Sequence, residues 1–222
     1  MTEQRKTALL AGASGLVGAQ LLKDLLEKQQ YSQVKVLVRN PLSLEHPRME
    51  QIVVDFDELG SSLQHFQVDD VYCTLGTTIK KAGTQEAFKK VDLDYPLALA
   101  KLAKQGGAQR FLMVTALGAN PRSGNFYSRV KGEVEESVRD IGLPALHIFR
   151  PSLLLGDRKE FRLVEKLAII LSPLFKLVMR GRLRRYRPVH AAIVARAMAV
   201  KGSTLQEGVF IYESDQIAEI GG

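Results

Sequence analysis

The chain has 222 residues, 45% of them hydrophobic, with one cysteine, no tryptophan and a formal net charge of +7. A chain of this length buries roughly 70% of its unfolded surface around one core, so one domain with at most a small appended lobe is expected. A single cysteine excludes an intramolecular disulfide and a multi-cysteine zinc cage, and it fits a reducing compartment.

In chain order, short runs rich in Val, Leu and Ile alternate with longer segments of helical period. That pattern predicts an α/β protein with a Rossmann-like, doubly wound parallel sheet. Strands are expected near 6–11, 33–39, 50–54, 69–74, 109–115, 145–150 and 209–212. Between the first two, Leu21, Leu22, Leu25 and Leu26 fall on one face of a helix over 16–28, which should cover the sheet. A second helix is expected over 84–105, with Pro96 marking a kink or break and Gly106 and Gly107 suited to its end. A third spans about 127–140. From Gly156 the alternation fades into a mostly helical, basic stretch, so 156–208 is expected to form a small C-terminal substrate lobe on a single domain of 1–222.

No export or membrane segment is apparent. The N-terminal MTEQRKTALLAGASG lacks the charged, apolar and small-residue layout of a secretory signal. The longest apolar stretch, 163–179, is interrupted by Glu165, Lys166, Pro173 and Lys176. A cytoplasmic protein without an integral membrane segment is expected.

The first strand runs into Gly12-Ala13-Ser14-Gly15-Leu16-Val17-Gly18, a GxxGxxG turn that opens a helix. Gly12, Gly15 and Gly18 would allow a tight turn, close backbone approach to a pyrophosphate and tight helix–strand packing, while the helix N-terminus offers unpaired amides. Arg39, with Asn40 beside it, follows the second strand, where an acid would hold the ribose 2′-hydroxyl. A guanidinium there favours a 2′-phosphate, hence NADPH over NADH. Asn40 stands where a second basic residue would have strengthened that grip. Asp55 and Phe56 after the third strand either border the adenine or are a loop acid and a core ring. After the fourth strand, in Leu75-Gly76-Thr77-Thr78, Gly76 lets backbone pass close to the cofactor with Thr hydroxyls available for phosphate or ribose, and Cys73 reads as a small buried hydrophobe.

Tyr127 and Lys131 form a YxxxK pair whose i, i+4 spacing puts phenol and ammonium on one helix face. Carbonyl reduction needs such a pair: a phenol, with an ordinary pKa of about 10, must exchange a proton near neutrality, and a neighbouring ammonium favours the phenolate. Lys131 can also hold ribose hydroxyls. No metal site is expected, because His46, His65 and His147 have no ligand-like spacing. His190 reads as a structural histidine.

Between Arg158 and Arg187 lie ten basic residues and two acids, more charge than the whole chain nets. This argues for a local anionic partner or a solvated basic face and against a general nucleic-acid coat. The run 180–187 reads as a binding surface for an acidic partner, phospholipid or nucleic acid, or as a solvated lobe rim. The apolar 163–179 reads as a helix that covers the site as a lid, ahead of one that lies on a membrane.

The stretches GASGLVG, VVDF, LGTT with KAG, VDLDY, AKQGGAQRF, NFYSRVKGEVE and FRPSLLLGDR together resemble the atypical short-chain dehydrogenases/reductases. More narrowly, they resemble the Tat-interacting-protein type of NADPH-binding oxidoreductase. The resemblance covers nearly all the chain up to Arg158. It implies NADPH in the crevice, Tyr127 as proton donor and Lys131 as its ribose-binding partner. It also implies cofactor contacts from Ser14, Gly15, Leu16 and Val17, from Arg39 at the 2′-phosphate, and from 75–76 and 153–158, Arg158 included, near the nicotinamide. Reductases of the wider superfamily hold the substrate carbonyl with a Ser or Thr at the end of the fifth strand, and Thr115 is expected there, ahead of Ala116 and Leu117. Asp92 stands where that superfamily often has Asn. The expected activity is NADPH-dependent reduction of a carbonyl on a small molecule. The alternative is an NADPH-binding regulator with weak or vestigial catalysis that binds a protein partner, as members of this family are linked to protein binding.

Overall fold

Alternation along the strands decides the layers. In β1 (Lys6–Ala11), Ala8 and Leu10 pack to one side and Leu9 and Ala11 to the other, all fully buried. A strand apolar on both faces belongs in the middle of a covered parallel sheet. The computed structural model describes residues 6–156 and 181–222. In it β1 is joined by β2 (Tyr31–Val38), β3 (Met49–Val53), β4 (Asp70–Cys73), β5 (Arg110–Val114), β6 (Ala145–Arg150) and β9 (Gly208–Glu213). The order is β3-β2-β1-β4-β5-β6-β9, every pairing parallel. The chain reverses its direction of travel between β1 and β4, the point at which open sheets of this kind bind ligands at their strand C-termini. A separate parallel pair joins β7 (Leu154–Leu155) to β8 (Val189–His190).

One face is covered by α1 (Leu16–Glu27), α6 (Ala191–Lys201) and α7 (Ser214–Gly221), whose Leu21, Leu25, Val194, Met198 and Ile217 share a core with Val34, Val36 and Leu112. The other face carries α4 (Tyr95–Gln105), α5 (Phe126–Asp140) and a 3-10 helix over Leu59–Phe66, through Leu99, Ala103, Val134, Val138 and Phe66. Within the expected lobe, α6 is therefore part of the main core. The apolar 163–179 lies outside the described residues. Among the described residues no helix is long and apolar enough to cross a membrane.

The helix expected over 84–105 is three pieces: α3 (Gln85–Lys89), a π turn over Lys90–Asp94, and α4. The short α2 (Ile79–Ala82) precedes them. Pro96 sits in the first turn of α4, where a missing N–H costs nothing, so the irregularity falls before the proline.

At the strand starts, Tyr31 donates its hydroxyl to Asp70 at 2.7 Å and lies 2.8 Å from the Tyr72 hydroxyl. Asp70 pairs with Arg110 at 2.5 Å, both buried, and Arg110 Nη1 donates to the Thr204 carbonyl at 3.3 Å. Gly202 lies against this cluster: a Cβ there would stand 1.8 Å from the Tyr72 hydroxyl oxygen.

Candidate functional site

The glycine turn is built as its spacing suggests. Gly12 has φ +96°, and a Cβ on it would come within 2.7 Å of the Thr74 carbonyl carbon, so it needs both the left-handed backbone and the missing side chain. The Gly15 N–H donates to the Gly12 carbonyl at 2.9 Å, closing the turn at the N-cap of α1. A Cβ on Gly18 would lie 2.1 Å from the Gly12 oxygen, which lets α1 sit directly on the turn. Ser14 is exposed, Leu16 half-buried and Val17 part of the core. The first turn of α1 holds no acid, and its N-cap makes no side-chain bond. The positive end of the helix is thus neither neutralised nor capped, which suits a diphosphate.

The other expected cofactor residues follow the same strand ends. Arg39 and Asn40 are exposed just past β2. Beyond β3, Asp55 is exposed and accepts from the Asp57 N–H at 2.9 Å, while Phe56 is buried with its ring 5.5 Å from that of Tyr95. Leu75 is half-buried and Gly76 exposed beyond β4. Burial pushes the Cys73 thiol up to about 12, which makes it an inert core residue.

Tyr127 and Lys131 lie on α5, whose start is capped by the Asn125 side chain accepting from the Ser128 N–H at 3.1 Å. Tyr127 is 37% exposed, its ring held 5.7 Å from that of Phe88. Lys131 is buried, and its ammonium lies 2.7 Å from Asp92 Oδ1. The other Asp92 oxygen accepts from the Thr77 N–H at 2.8 Å. Burial opposes the lysine's charge, but the Asp92 carboxylate and the Tyr127 phenol outweigh it and hold the ammonium above its ordinary value. The π turn brings Asp92 here, a placement that helical spacing alone does not reveal. A Cβ on Gly76 would sit 3.5 Å from Asp92 Oδ1 and 3.9 Å from Lys131 Nζ, so the loop after β4 passes directly over the pair.

Tyr127 opens onto a cleft of about 420 Å³ lined also by Ala116, Leu117, Gly118, Arg150, Pro151, Ser152, Arg185, Tyr186 and Glu213. Thr115 is not among these residues. It is buried, and its hydroxyl donates to Glu135 at 2.6 Å. Glu135 is one helical turn beyond Lys131 and also binds Arg150. Neither Glu135 nor Arg150 was expected from the sequence, although Tyr127, Lys131 and Glu135 at i, i+4 and i+8 carry a legible signal. Arg158 lies outside the described residues. His190 is exposed at the N-cap of α6 and does not line the cleft. Among the described residues no three His, Cys, Asp or Glu side chains converge as metal ligands.

The turn, the uncapped helix start and the Tyr127–Lys131 pair below Gly76 define a dinucleotide-binding protein of the oxidoreductase type, and the residues present fit such a cofactor. The family described as NAD(P)H-binding matches residues 12–166, and the chain belongs to it, within the atypical short-chain dehydrogenase/reductase group. It is 42% identical to Protein HTATIP2 of Rattus norvegicus over 169 residues, covering 74% of this chain and 69% of that protein. It is 33% identical to Protein FMP52, mitochondrial, of Eremothecium gossypii over 218 residues, 96% of each. Among solved structures it resembles MoeE5 in complex with UDP-glucose and NAD, with a TM-score of 0.70, 14% identity and coverage of 96% and 80% of the two chains. The Bordetella bronchiseptica enzyme WbmH in complex with NAD+ gives a TM-score of 0.69 at 16% identity, covering 94% of this chain and 76% of that one. These structural likenesses establish the Rossmann fold.

Proposed function

We propose that the chain is an NADPH-dependent oxidoreductase of the short-chain dehydrogenase/reductase type that reduces a carbonyl group. The observation that carries this reading is Tyr127, open to the cleft, one turn before the buried ammonium of Lys131 on the same helix. The reduced nicotinamide would supply the hydride. Tyr127 donates its phenolic proton to the carbonyl oxygen. Lys131, fixed by Asp92, keeps further N–H donors for ribose hydroxyls and maintains a positive charge near the phenol. The amides at Gly15–Val17 hold the diphosphate, with Gly12 and Gly18 giving it room, and Arg39 with Asn40 takes the 2′-phosphate. Asp55 and Phe56 border the adenine, and Leu75, Gly76 and Arg158 border the nicotinamide half. Within 156–208, Arg185 and Tyr186 supply the substrate side, and the compartment is the cytoplasm; the fungal relative's name, mitochondrial, makes cell fractionation its check.

The test is NADPH oxidation against a panel of aldehydes, ketones and quinones. Tyr127→Phe should lower turnover by at least about a hundredfold while NADPH affinity stays within about twofold. Undiminished turnover would remove Tyr127 from the chemistry.

A second reading, a cofactor-binding regulator that presents a surface to a protein partner, draws on Thr115. The Thr115 hydroxyl is bound to Glu135 and Thr115 does not line the cleft, which favours a site without the threonine that reductases place beside the tyrosine. NADPH binding without turnover of any panel member favours that reading.

A further inference from the structure

The part of the cleft beyond Tyr127 contains an arginine prepared in a specific way. Arg150 is the last residue of β6 and lines the cleft with its side chain 20% exposed. Its Nε donates to both Glu135 oxygens, at 2.9 and 3.1 Å, and its Nη2 donates to Oε2. Glu135 is buried and fixed in turn by the Thr115 hydroxyl. A guanidinium has five N–H donors in a planar fork. Glu135 occupies the Nε edge, and among the described residues nothing accepts from Nη1. The chain Thr115–Glu135–Arg150 therefore holds the guanidinium rigid while leaving its outer end for another acceptor.

Glu213 stands in register with Arg150 on β9, and its carboxylate, after that of Glu135, favours the guanidinium's charge without a hydrogen bond to its outer end among the described residues. Glu213, the acid among the lining residues, lies 3.6 Å from Arg185 and caps α7 through the amide of Gln216. Arg185 and Tyr186 line the cleft together with Arg150, and Arg184 and Arg187 flank them in the sequence, so the described part of that wall is basic.

We infer that Arg150 is a substrate-binding residue that takes an anionic group, a carboxylate or phosphate ester, on the far side of the carbonyl presented to Tyr127. Thr115 and Glu135 are its positioning residues, which gives the buried Thr115 hydroxyl a role through its bond to Glu135. A fixed end-on fork binds a planar or tetrahedral oxyanion through paired, charge-assisted hydrogen bonds at little entropic cost. The inference rests on the carbonyl-reductase reading for the substrate's other end, and its test separates the two.

With the full chain and NADPH, kcat/KM is measured for 4-carboxybenzaldehyde and for its methyl ester, which differ in the anion alone. The acid should be preferred by about tenfold or more, through KM. Because Arg150→Met would leave Glu135 buried and unpaired, the decisive variant is the double substitution Glu135→Gln with Arg150→Met, in which the preference should fall to about one. Arg150→Lys, which keeps the charge and loses the fork, should fall between. Equal use of acid and ester by the unmodified protein, or a preference that persists in the double variant, overturns the assignment. If neither aldehyde is reduced, it is the reductase reading that fails for these substrates. The anion seat is then read by calorimetry, titrating terephthalate and phenyl phosphate into the protein loaded with NADP+. Binding of either that is lost in the double variant supports the seat and tells carboxylate from phosphate; no binding of either overturns it.

Discussion

The carboxylate of Asp92 and the ammonium of Lys131 lie 2.7 Å apart, both buried, with the Thr77 amide completing the acid's contacts. Removing either partner leaves a charge stranded away from water. Lys131→Met should therefore cost about 3–5 kcal/mol in a urea melt, while Asp92→Asn, which still accepts from Thr77, should cost less. The double substitution should recover part of the Lys131→Met loss. A Lys131→Met protein as stable as the parent would mean that the pair is not closed in solution.

Space at the glycine turn can be tested in the same way. Gly18→Ala would press a methyl group into the Gly12 carbonyl at 2.1 Å, and Gly12→Ala adds a φ of +96° to its contact with Thr74. Each should destabilise by roughly 1–3 kcal/mol. Each should also weaken NADPH binding, as followed by nucleotide fluorescence.

Cofactor preference should reside in one exposed guanidinium. Arg39→Ala should weaken NADPH by about 1.5–3 kcal/mol, some ten- to a hundredfold, and leave NADH affinity nearly unchanged. Equal affinities for the two nucleotides before mutation would refute the 2′-phosphate assignment.

His147 makes stability depend on pH. Burial, then the positive charges of Lys201 and Arg110, push its imidazole down to about 4; its Nδ1 lies 3.0 Å from the Tyr212 hydroxyl, and its ring stacks on Phe210. The folded chain keeps the ring neutral where the unfolded chain, with an ordinary value near 6.5, protonates it. Unfolding thus takes up a proton between these values. The contribution is complete above about pH 6.5, shrinks as pH falls, and is lost below about 4. His147→Gln should flatten that part of the stability–pH curve, measured by melts from pH 7.5 to 4; an unchanged slope would refute the assignment.

The strands were legible because parallel, doubly covered strands must be apolar throughout, as Leu9-Leu10-Ala11 and Val36-Leu37-Val38 are. Gly12 and Gly18 were legible for a similar reason, since their need is local. Pro96 signalled a break in the 84–105 helix, but not the π turn ahead of α4. That turn follows from Asp92 meeting Lys131 and Thr77, partners 39 and 15 positions away, and local periodicity does not report such contacts. Thr115 follows β5 directly, and its hydroxyl is held by Glu135, twenty residues on, a partner that local sequence does not report. The eight-residue helix α7 follows the last strand directly, and its Glu213 and Gln216 capping box is the signal that was available.

Tyr31, Asp70 and Arg110 are the opening residues of their strands, whereas Arg150 and Glu213 close theirs. Because all seven strands run the same way, the sheet has a foot that anchors and a rim that recognises, separated by the length of the strands. Ligand preference can accordingly be rewritten at the rim while the foot keeps the scaffold's register, and damage at Gly202 should unravel the molecule without altering what it recognises.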